Sequence, residues 1–121
     1  MNVLTVCHNG ILRSRILAEY LMEKGYNTQF CGVNEHSDNY ITQQKVDFAD
    51  IIIVLEKQWK DYITTRLEVG NKKIIELDIS EDPEVYGKEA VKLYKKDSHE
   101  FYHKYLFEKM KKQMKKYLPL E

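Results

Sequence analysis

Residues 3–14 read VLTVCHNGILRS, and this stretch predicts a strand, a tight turn and a helix in direct succession. The apolar, β-branched run 2–7 (NVLTVC) is typical of a buried strand. HNG at 8–10 has turn composition, because Asn and Gly both tolerate positive φ. From Ser14 onward the apolar residues recur with helical period, and Gly25 stands where a helix C-cap is expected.

The alternation of strands and helices continues through the middle of the chain. Further strands are predicted at 27–33, 51–55 and 73–79. Helices are predicted at about 41–48 and from EKQWKDYITTRL to Gly70. Strands that alternate with helices indicate a doubly wound parallel sheet. The expected fold is therefore α/β, a three-layer sandwich with a four-stranded parallel sheet flanked by helices.

The C-terminal third has a different pattern. Residues 80–87 (SEDPEVYG) predict a loop, and helical periodicity follows it almost to the end of the chain. KDSH at 96–99 divides this region into two helices if Asp97 or Ser98 serves as an N-cap. No linker separates these parts, so all 121 residues are predicted to form a single domain, with about 97–121 as an extended helical region.

The composition excludes several classes of protein. The formal net charge is zero, with 19 basic and 19 acidic residues, so no overall field favours nucleic acid or an anionic membrane. No apolar stretch approaches the roughly 18 residues of a membrane span, and the N-terminus does not resemble a signal peptide. A cytoplasmic protein is expected, in which Cys7 and Cys31 are free thiols. No cysteine or histidine cluster has metal-ligand spacing, and no metal or cofactor is predicted.

The thiol of Cys7 lies where chemistry on an anion is favoured. In open α/β sheets, ligands bind at the carboxyl ends of the strands, and a helix N-terminus there attracts oxyanions such as phosphate. Arg13 can add a bidentate clamp to the same anion. A helix N-terminus and a nearby cation favour a cysteine thiolate, and the Ser14 hydroxyl can hydrogen-bond it. This combination suits nucleophilic attack on a phosphoryl group.

Cys7 to Ser14 match the Cys-(x)5-Arg-Ser signature of protein tyrosine phosphatases. Because the cysteine of this signature is the last residue of the first predicted strand, the chain resembles the low-molecular-weight class, especially its short bacterial and phage members. The likeness covers about residues 1–95. It includes FCGVN at 30–34, FADIIIVLEKQW at 48–59 and EDP at 81–83, which are similar to the class's second strand and turn, its third strand and helix, and its late Asp-Pro motif. The resemblance implies a four-stranded parallel sheet flanked by helices.

The resemblance also implies a two-step hydrolysis of phosphotyrosine or a related phosphomonoester. Cys7 would attack phosphorus to form a cysteinyl-phosphate, while Arg13 holds the phosphoryl oxygens. Asp82 would protonate the leaving group and then deprotonate water, with no metal or cofactor. The expected substrate-binding residues in and beside the loop are His8, Asn9, Gly10, Ile11, Leu12 and Ser14.

Two features of the expected site bear on the acid and the substrate. Asp78 and Glu81 lie in the same loop as Asp82, so any of the three carboxylates could be the acid, and the neighbouring proline favours Asp82. Tyr86 could line the entrance and stack against an aromatic substrate. The aliphatic Ile11 stands where phosphotyrosine members are aliphatic and arginine-phosphatase relatives carry threonine, which favours phosphotyrosine in a phosphorylated protein or a small phosphomonoester.

Departures from the family pattern leave other functions open. Asn9-Gly10 reverses the usual Gly-Asn order, Leu12 replaces a second loop cysteine, and Arg15 replaces a proline. A non-catalytic module that binds oxyanions or phosphoproteins is therefore an alternative, as is a phosphocarrier that only accepts a phosphoryl group. An arsenate reductase shares the fold, but it needs further cysteines, and only Cys31 is available.

Overall fold

Four parallel strands form a sheet in the computed structural model, which describes residues 1–121. The strands are β1 (Asn2–Cys7), β2 (Asn27–Gly32), β3 (Ile51–Val54) and β4 (Lys73–Glu76), in the order β2-β1-β3-β4. β1 pairs with β2 on one side and with β3 on the other. The prediction of a four-stranded, all-parallel sheet flanked by helices is confirmed.

The helices between the strands are α1 (Arg13–Glu23), α2 (Gln43–Phe48) and α3 (Gln58–Arg66). Every residue of β3 is buried, as expected for a central parallel strand covered on both faces. β4 ends at Glu76, three residues earlier than the sequence predicts. The Leu77 N–H still donates to the Val54 carbonyl. Because Val54 is the last residue of β3, the chain after Leu77 has no β3 residue with which to pair.

The strand order places Cys7 at the centre of one edge of the sheet. All four carboxyl ends lie at this edge because the strands are parallel. Cys7 is the last residue of β1 and is in register with Gly32, the last residue of β2. The segments that follow β1 and β2 therefore begin side by side.

The chain divides into two compact units, Met1–Asp78 and Ile79–Glu121. The second contains a 3-10 turn, Pro83–Tyr86, within the region predicted as a loop. The turn forms because Pro83 has a φ suited to a first helical position and the Asp82 carboxylate accepts from the Glu84 N–H (3.0 Å). One domain over the whole chain stays a prediction.

The second unit continues with α4 (Lys88–Lys96), α5 (Ser98–Phe101), a π-helical segment (Tyr102–Phe107) and α6 (Glu108–Met114). The predicted break before Ser98 is confirmed, because Asp97 caps the next helix by accepting from the Glu100 N–H (3.2 Å). No helix in the chain is both long enough and apolar enough to cross a membrane.

The π-helical segment changes which residues of this helical run are buried. A π turn contains one residue more than an α turn. The fully buried residues after Phe101 are therefore Leu106, five positions on, and then Met110 and Met114 at α-helical spacing. Tyr105, which a regular helix would have buried, is only partly covered.

Candidate active site

The Cys7 thiol is buried, with 3% of the residue exposed, at the carboxyl end of β1. Its Sγ atom accepts a hydrogen bond from the Gly10 N–H (3.2 Å) and lies 3.1 Å from the Ser14 Oγ atom. Ser14 is held in turn by Thr5, whose hydroxyl donates to the Ser14 carbonyl (2.6 Å). The amide and the hydroxyl can both donate to a sulfur that carries negative charge. The structure thus brings Cys7, Gly10 and Ser14 together.

The turn after Cys7 passes directly over the end of β2. Gly10 has a φ of +69°, which confirms that a left-handed residue occupies this position. A Cβ atom on Gly10 would collide with the Gly32 nitrogen, and one on Gly32 would collide with the His8 carbonyl oxygen. The two backbones cross at a distance that only glycine allows. The Asn9-Gly10 order is therefore compatible with a tight loop, because glycine occupies the strained position.

Polar groups of residues 34–39 donate hydrogen bonds to residues 8–10 of this loop, chiefly to the backbone carbonyls. The Asn34 N–H donates to the His8 carbonyl (2.8 Å), and the Asn34 side chain donates to the Asn9 side chain (2.8 Å). The Ser37 hydroxyl donates to the Asn9 carbonyl (2.6 Å). The Asn39 side chain donates to the carbonyls of Gly10 (2.7 Å) and Phe30 (2.9 Å). We call residues 34–39 the clamp segment.

The clamp segment was not among the predicted site residues. Its sequence, NEHSDN, shows only a polar loop. The position of the clamp segment provides a usable signal, because this segment follows the second parallel strand. If the first and second strands are neighbours, their carboxyl ends lie side by side. Asparagine and serine at such a point can hydrogen-bond an adjacent loop.

Arg13 begins α1, and only 4% of it is exposed. Its Nη1 atom forms an ion pair with Glu56 Oε2 (2.6 Å), and its guanidinium carbon lies 5.1 Å from the centre of the Trp59 ring. The other Glu56 oxygen accepts from the Gln58 side chain (2.8 Å). This arrangement compensates the buried charge and restricts the direction of the guanidinium. Glu56 was not predicted, although a carboxylate directly after a buried strand is a recognisable signal.

The remaining predicted loop residues have different surroundings. His8 is exposed, and its ring stacks against Trp59 with the centroids 6.5 Å apart. Ile11 is 62% exposed. Leu12 directly precedes α1, and its side chain does not cap the helix. The first amides of α1 have no intrahelical acceptor, and Leu12 does not provide one. An uncapped helix N-terminus beside a thiol favours an anion.

The predicted acids lie in different units. Asp78 is the last residue of the first unit, and Glu81 and Asp82 belong to the second. All three are exposed. In the second unit, Tyr86 donates from its hydroxyl to the Ser80 carbonyl (2.6 Å), and its ring packs edge-on against Phe101.

The second cysteine, Cys31, lies in β2 and is fully buried. Both cysteines are free thiols, as predicted. Burial raises the pKa of the Cys31 thiol from 9.0 to about 12, against a smaller lowering by Lys45. Cys31 is therefore a protonated core residue at physiological pH. No group of three or more His, Cys, Asp or Glu side chains is placed to hold a metal ion.

Neither a family model nor a curated protein sequence matches this chain. Solved structures do match it over nearly its full length. YwlE arginine phosphatase from Geobacillus stearothermophilus has a TM-score of 0.59 at 20% identity, covering 99% of this chain and 97% of that one. A low molecular weight protein tyrosine phosphatase from Bacillus subtilis has a TM-score of 0.58 at 20% identity, with 96% and 98% covered.

A third match is Vibrio vulnificus Wzb in complex with benzylphosphonate. Its TM-score is 0.61 at 18% identity, covering 95% of this chain and 97% of that one. These likenesses show that the chain has the fold of the low-molecular-weight protein tyrosine phosphatases.

Proposed function

We propose that this chain is a cysteine-dependent phosphatase that hydrolyses phosphotyrosine or related phosphomonoesters through a cysteinyl-phosphate. The observation that carries the proposal is the placement of the Cys7 Sγ atom, buried at the end of the central strand and in contact with the Gly10 amide and the Ser14 hydroxyl. The fold supports it, and so does the benzylphosphonate bound by Wzb, which joins a tetrahedral oxyanion to an aromatic ring.

In the first step the Cys7 sulfur attacks phosphorus. A sulfur–phosphorus bond forms, and the bond from phosphorus to the leaving phenolic oxygen breaks. Arg13 and the loop amides neutralise the charge on the non-bridging oxygens. Asp82 gives its proton to the leaving oxygen, so the first product is a neutral phenol.

In the second step water attacks the phosphorus of the cysteinyl-phosphate. Asp82 accepts a proton from the water, the sulfur–phosphorus bond breaks, and inorganic phosphate is released. The Ser14 hydroxyl and the Gly10 amide hydrogen-bond the departing thiolate, which makes the sulfur a better leaving group. No metal or cofactor enters either step.

The assignment of the general acid and that of the residue at the entrance to the site rest on the sequence. Asp82 is preferred as the acid because of its Asp-Pro context, with Asp78 and Glu81 as the alternatives, and Tyr86 is proposed to line the entrance. The proposed partner is a phosphorylated protein or a small phosphomonoester in the cytoplasm. The aliphatic, exposed Ile11 favours phosphotyrosine, although one structural neighbour is an arginine phosphatase, so phosphoarginine is the comparison substrate.

The test is hydrolysis of para-nitrophenyl phosphate in the presence of a metal chelator, with vanadate as inhibitor. Cys7→Ser is expected to lower kcat by about 10⁴-fold or more, because serine lacks the reactive thiolate. Cys31→Ala is the matched control, since it removes the other buried thiol, and it is expected to retain activity.

Equal rates for the wild type and Cys7→Ser would contradict the phosphatase assignment. Tight phosphate binding without turnover would select the non-catalytic binding module instead. Faster hydrolysis of phosphoarginine than of phosphotyrosine would move the substrate assignment to the arginine-phosphatase class.

A further inference from the structure

The peptide group between Asn9 and Gly10 relates the clamp segment to the thiol. In a trans peptide the carbonyl and the following N–H point in opposite directions, and the loop contains no cis peptide bond. Here the Asn9 carbonyl accepts from the Ser37 hydroxyl (2.6 Å), and the Gly10 N–H donates to the Cys7 Sγ atom (3.2 Å). A carbonyl held by the clamp segment therefore directs its partner amide towards the thiol.

The next peptide group, between Gly10 and Ile11, is held on the same side. The Gly10 carbonyl accepts from the Asn39 side chain (2.7 Å). Because the peptide is planar and trans, the Ile11 N–H points away from Asn39. It therefore follows the Gly10 N–H as a second consecutive amide directed away from the clamp segment.

The orientation of the Asn39 amide is determined by its three partners. Its nitrogen donates to the carbonyls of Gly10 and Phe30, which can only accept, and its oxygen accepts from the Lys45 ammonium (3.2 Å), which can only donate. A flipped amide would lose all three hydrogen bonds. Phe30 belongs to β2, so Asn39 ties the loop carbonyl to the sheet.

Gly10 is the residue that needs such a tie. It has no side chain, and glycine can adopt many backbone conformations at small cost, so nothing in the residue itself holds the two flanking peptide planes. The Ser37 and Asn39 side chains hold one plane each. Anion binding requires these amides to be oriented in advance, because a donor that must first rotate contributes less to affinity.

We propose that Asn39 and Ser37 are positioning residues: Asn39 directs the Ile11 N–H at a tetrahedral oxyanion held over Cys7, and Ser37 directs the Gly10 N–H at the Cys7 sulfur that carries this group. This inference rests on the proposed function, since it assumes that the loop binds a phosphoryl group. It assigns to the clamp segment a role in anion affinity as well as in folding.

The experiment compares Asn39→Ala with Asn27→Ala. Asn27 is the matched control, because its side-chain amide also donates a hydrogen bond, to the Asn2 side chain (3.1 Å), but at the opposite end of β2. Vanadate affinity is measured by titration, and the amide signals of Gly10 and Ile11 are followed by NMR as inorganic phosphate is added. Thermal unfolding of each variant reports on stability separately.

Asn39→Ala is expected to raise the dissociation constant for vanadate about tenfold, as for the loss of one hydrogen bond that orients a donor. The phosphate-induced shift of the Ile11 amide should disappear in this variant. Asn27→Ala should bind vanadate within about twofold of the wild type. Ser37→Ala, which removes a single hydroxyl, should weaken vanadate binding and alter the phosphate-induced shift of the Gly10 amide signal. This variant provides the test if Asn39→Ala does not fold.

Wild-type vanadate affinity in a folded Asn39→Ala, or in Ser37→Ala, would overturn the positioning role. So would equal weakening by Asn39→Ala and Asn27→Ala, which would indicate a general loss of stability. A wild-type protein that binds neither vanadate nor phosphate would overturn the proposed function along with the inference. Anion binding without hydrolysis would remove only the catalytic proposal.

Discussion

The loop at residues 7–14 and the segment at residues 78–86 supply the two halves of the proposed chemistry, and they are constructed differently. In the first, the thiol, the loop carbonyls and Arg13 each have defined partners, and Cys7, Arg13 and Ser14 are buried. In the second, the three candidate acids are exposed, and Asp82 accepts from a backbone amide two residues along its own chain.

This contrast matches what the proposed chemistry requires of each half. A nucleophile and an anion cradle must be oriented before the substrate arrives, which requires groups whose directions are fixed by burial and by hydrogen bonds. The general acid must reach the leaving oxygen in the first step and the attacking water in the second, which an exposed carboxylate allows. The first half is therefore recognisable from its geometry, whereas the second must be identified by substitution.

After loss of the nucleophile itself, the largest expected effect concerns the identity of the acid. Asp82→Asn, Asp78→Asn and Glu81→Gln each remove one carboxylate. Asp82→Asn should lower kcat by about 10²–10⁴-fold, because the proton donor is lost. Asparagine is as good an N-cap as aspartate, so the 3-10 turn should persist.

The loss in Asp82→Asn should be greater for phenyl phosphate than for para-nitrophenyl phosphate, because the poorer leaving group depends more on protonation. Kinetics of the three variants on both substrates provide the measurement. A larger loss in Asp78→Asn would instead place the acid in the same compact unit as the thiol.

A smaller effect is expected at the ion pair between Arg13 and Glu56. Glu56→Gln removes one ion pair of the buried guanidinium, and because Glu56 is partly exposed this should lower the free energy of unfolding by about 1–3 kcal/mol. It should also raise KM for an aryl phosphate, because the guanidinium is less restricted in direction. Urea denaturation and steady-state kinetics measure the two effects.

The control for Glu56→Gln is Glu68→Gln, at an exposed position, where changes in stability are expected to stay within about 0.5 kcal/mol. Equal stability and KM for Glu56→Gln and the wild type would show that the loop at residues 7–14 does not depend on the ion pair between Arg13 and Glu56.

The smallest expected effect concerns the pH dependence of the free energy of unfolding that arises from the buried Cys31 thiol. It tests whether water is excluded from the core around this residue. The pKa of the Cys31 thiol is about 12 in the folded protein and 9.0 when exposed. Above pH 9 the unfolded chain loses this proton while the folded chain keeps it, so the stability contributed by the protonated thiol falls as the pH rises from 9 to about 12. Between pH 8 and pH 10 the loss should be about 1.4 kcal/mol.

Cys31→Ala lacks the titrating thiol, so its stability should fall by about 1.4 kcal/mol less than that of the wild type over the same pH interval. Denaturant unfolding of both proteins at pH 8 and pH 10 gives the difference directly, since all other titrating groups are shared. Parallel curves would mean that water reaches Cys31.

Local patterns predicted most of the fold correctly. β1 and its turn, the burial of β3 and the cap at Asp97 all depend on residues close together in the sequence. The error at β4 has a non-local cause, because this strand is shorter than its apolar run where its neighbour β3 ends at Val54. The π-helical segment, which buries Leu106 rather than Tyr105, departs from the regular helical period that the sequence pattern indicates.

The same division holds within the candidate site. By itself, the sequence determined that a thiol ends a strand, that a glycine turn follows it, and that an arginine and a serine open the next helix. Only the tertiary structure decided what holds them, because Asn39 lies 29 residues from Gly10 and Glu56 lies 43 residues from Arg13. Hydrogen bonds and ion pairs at such separations depend on which strands are neighbours and in what register, and pairing of this kind forms only in the folded sheet.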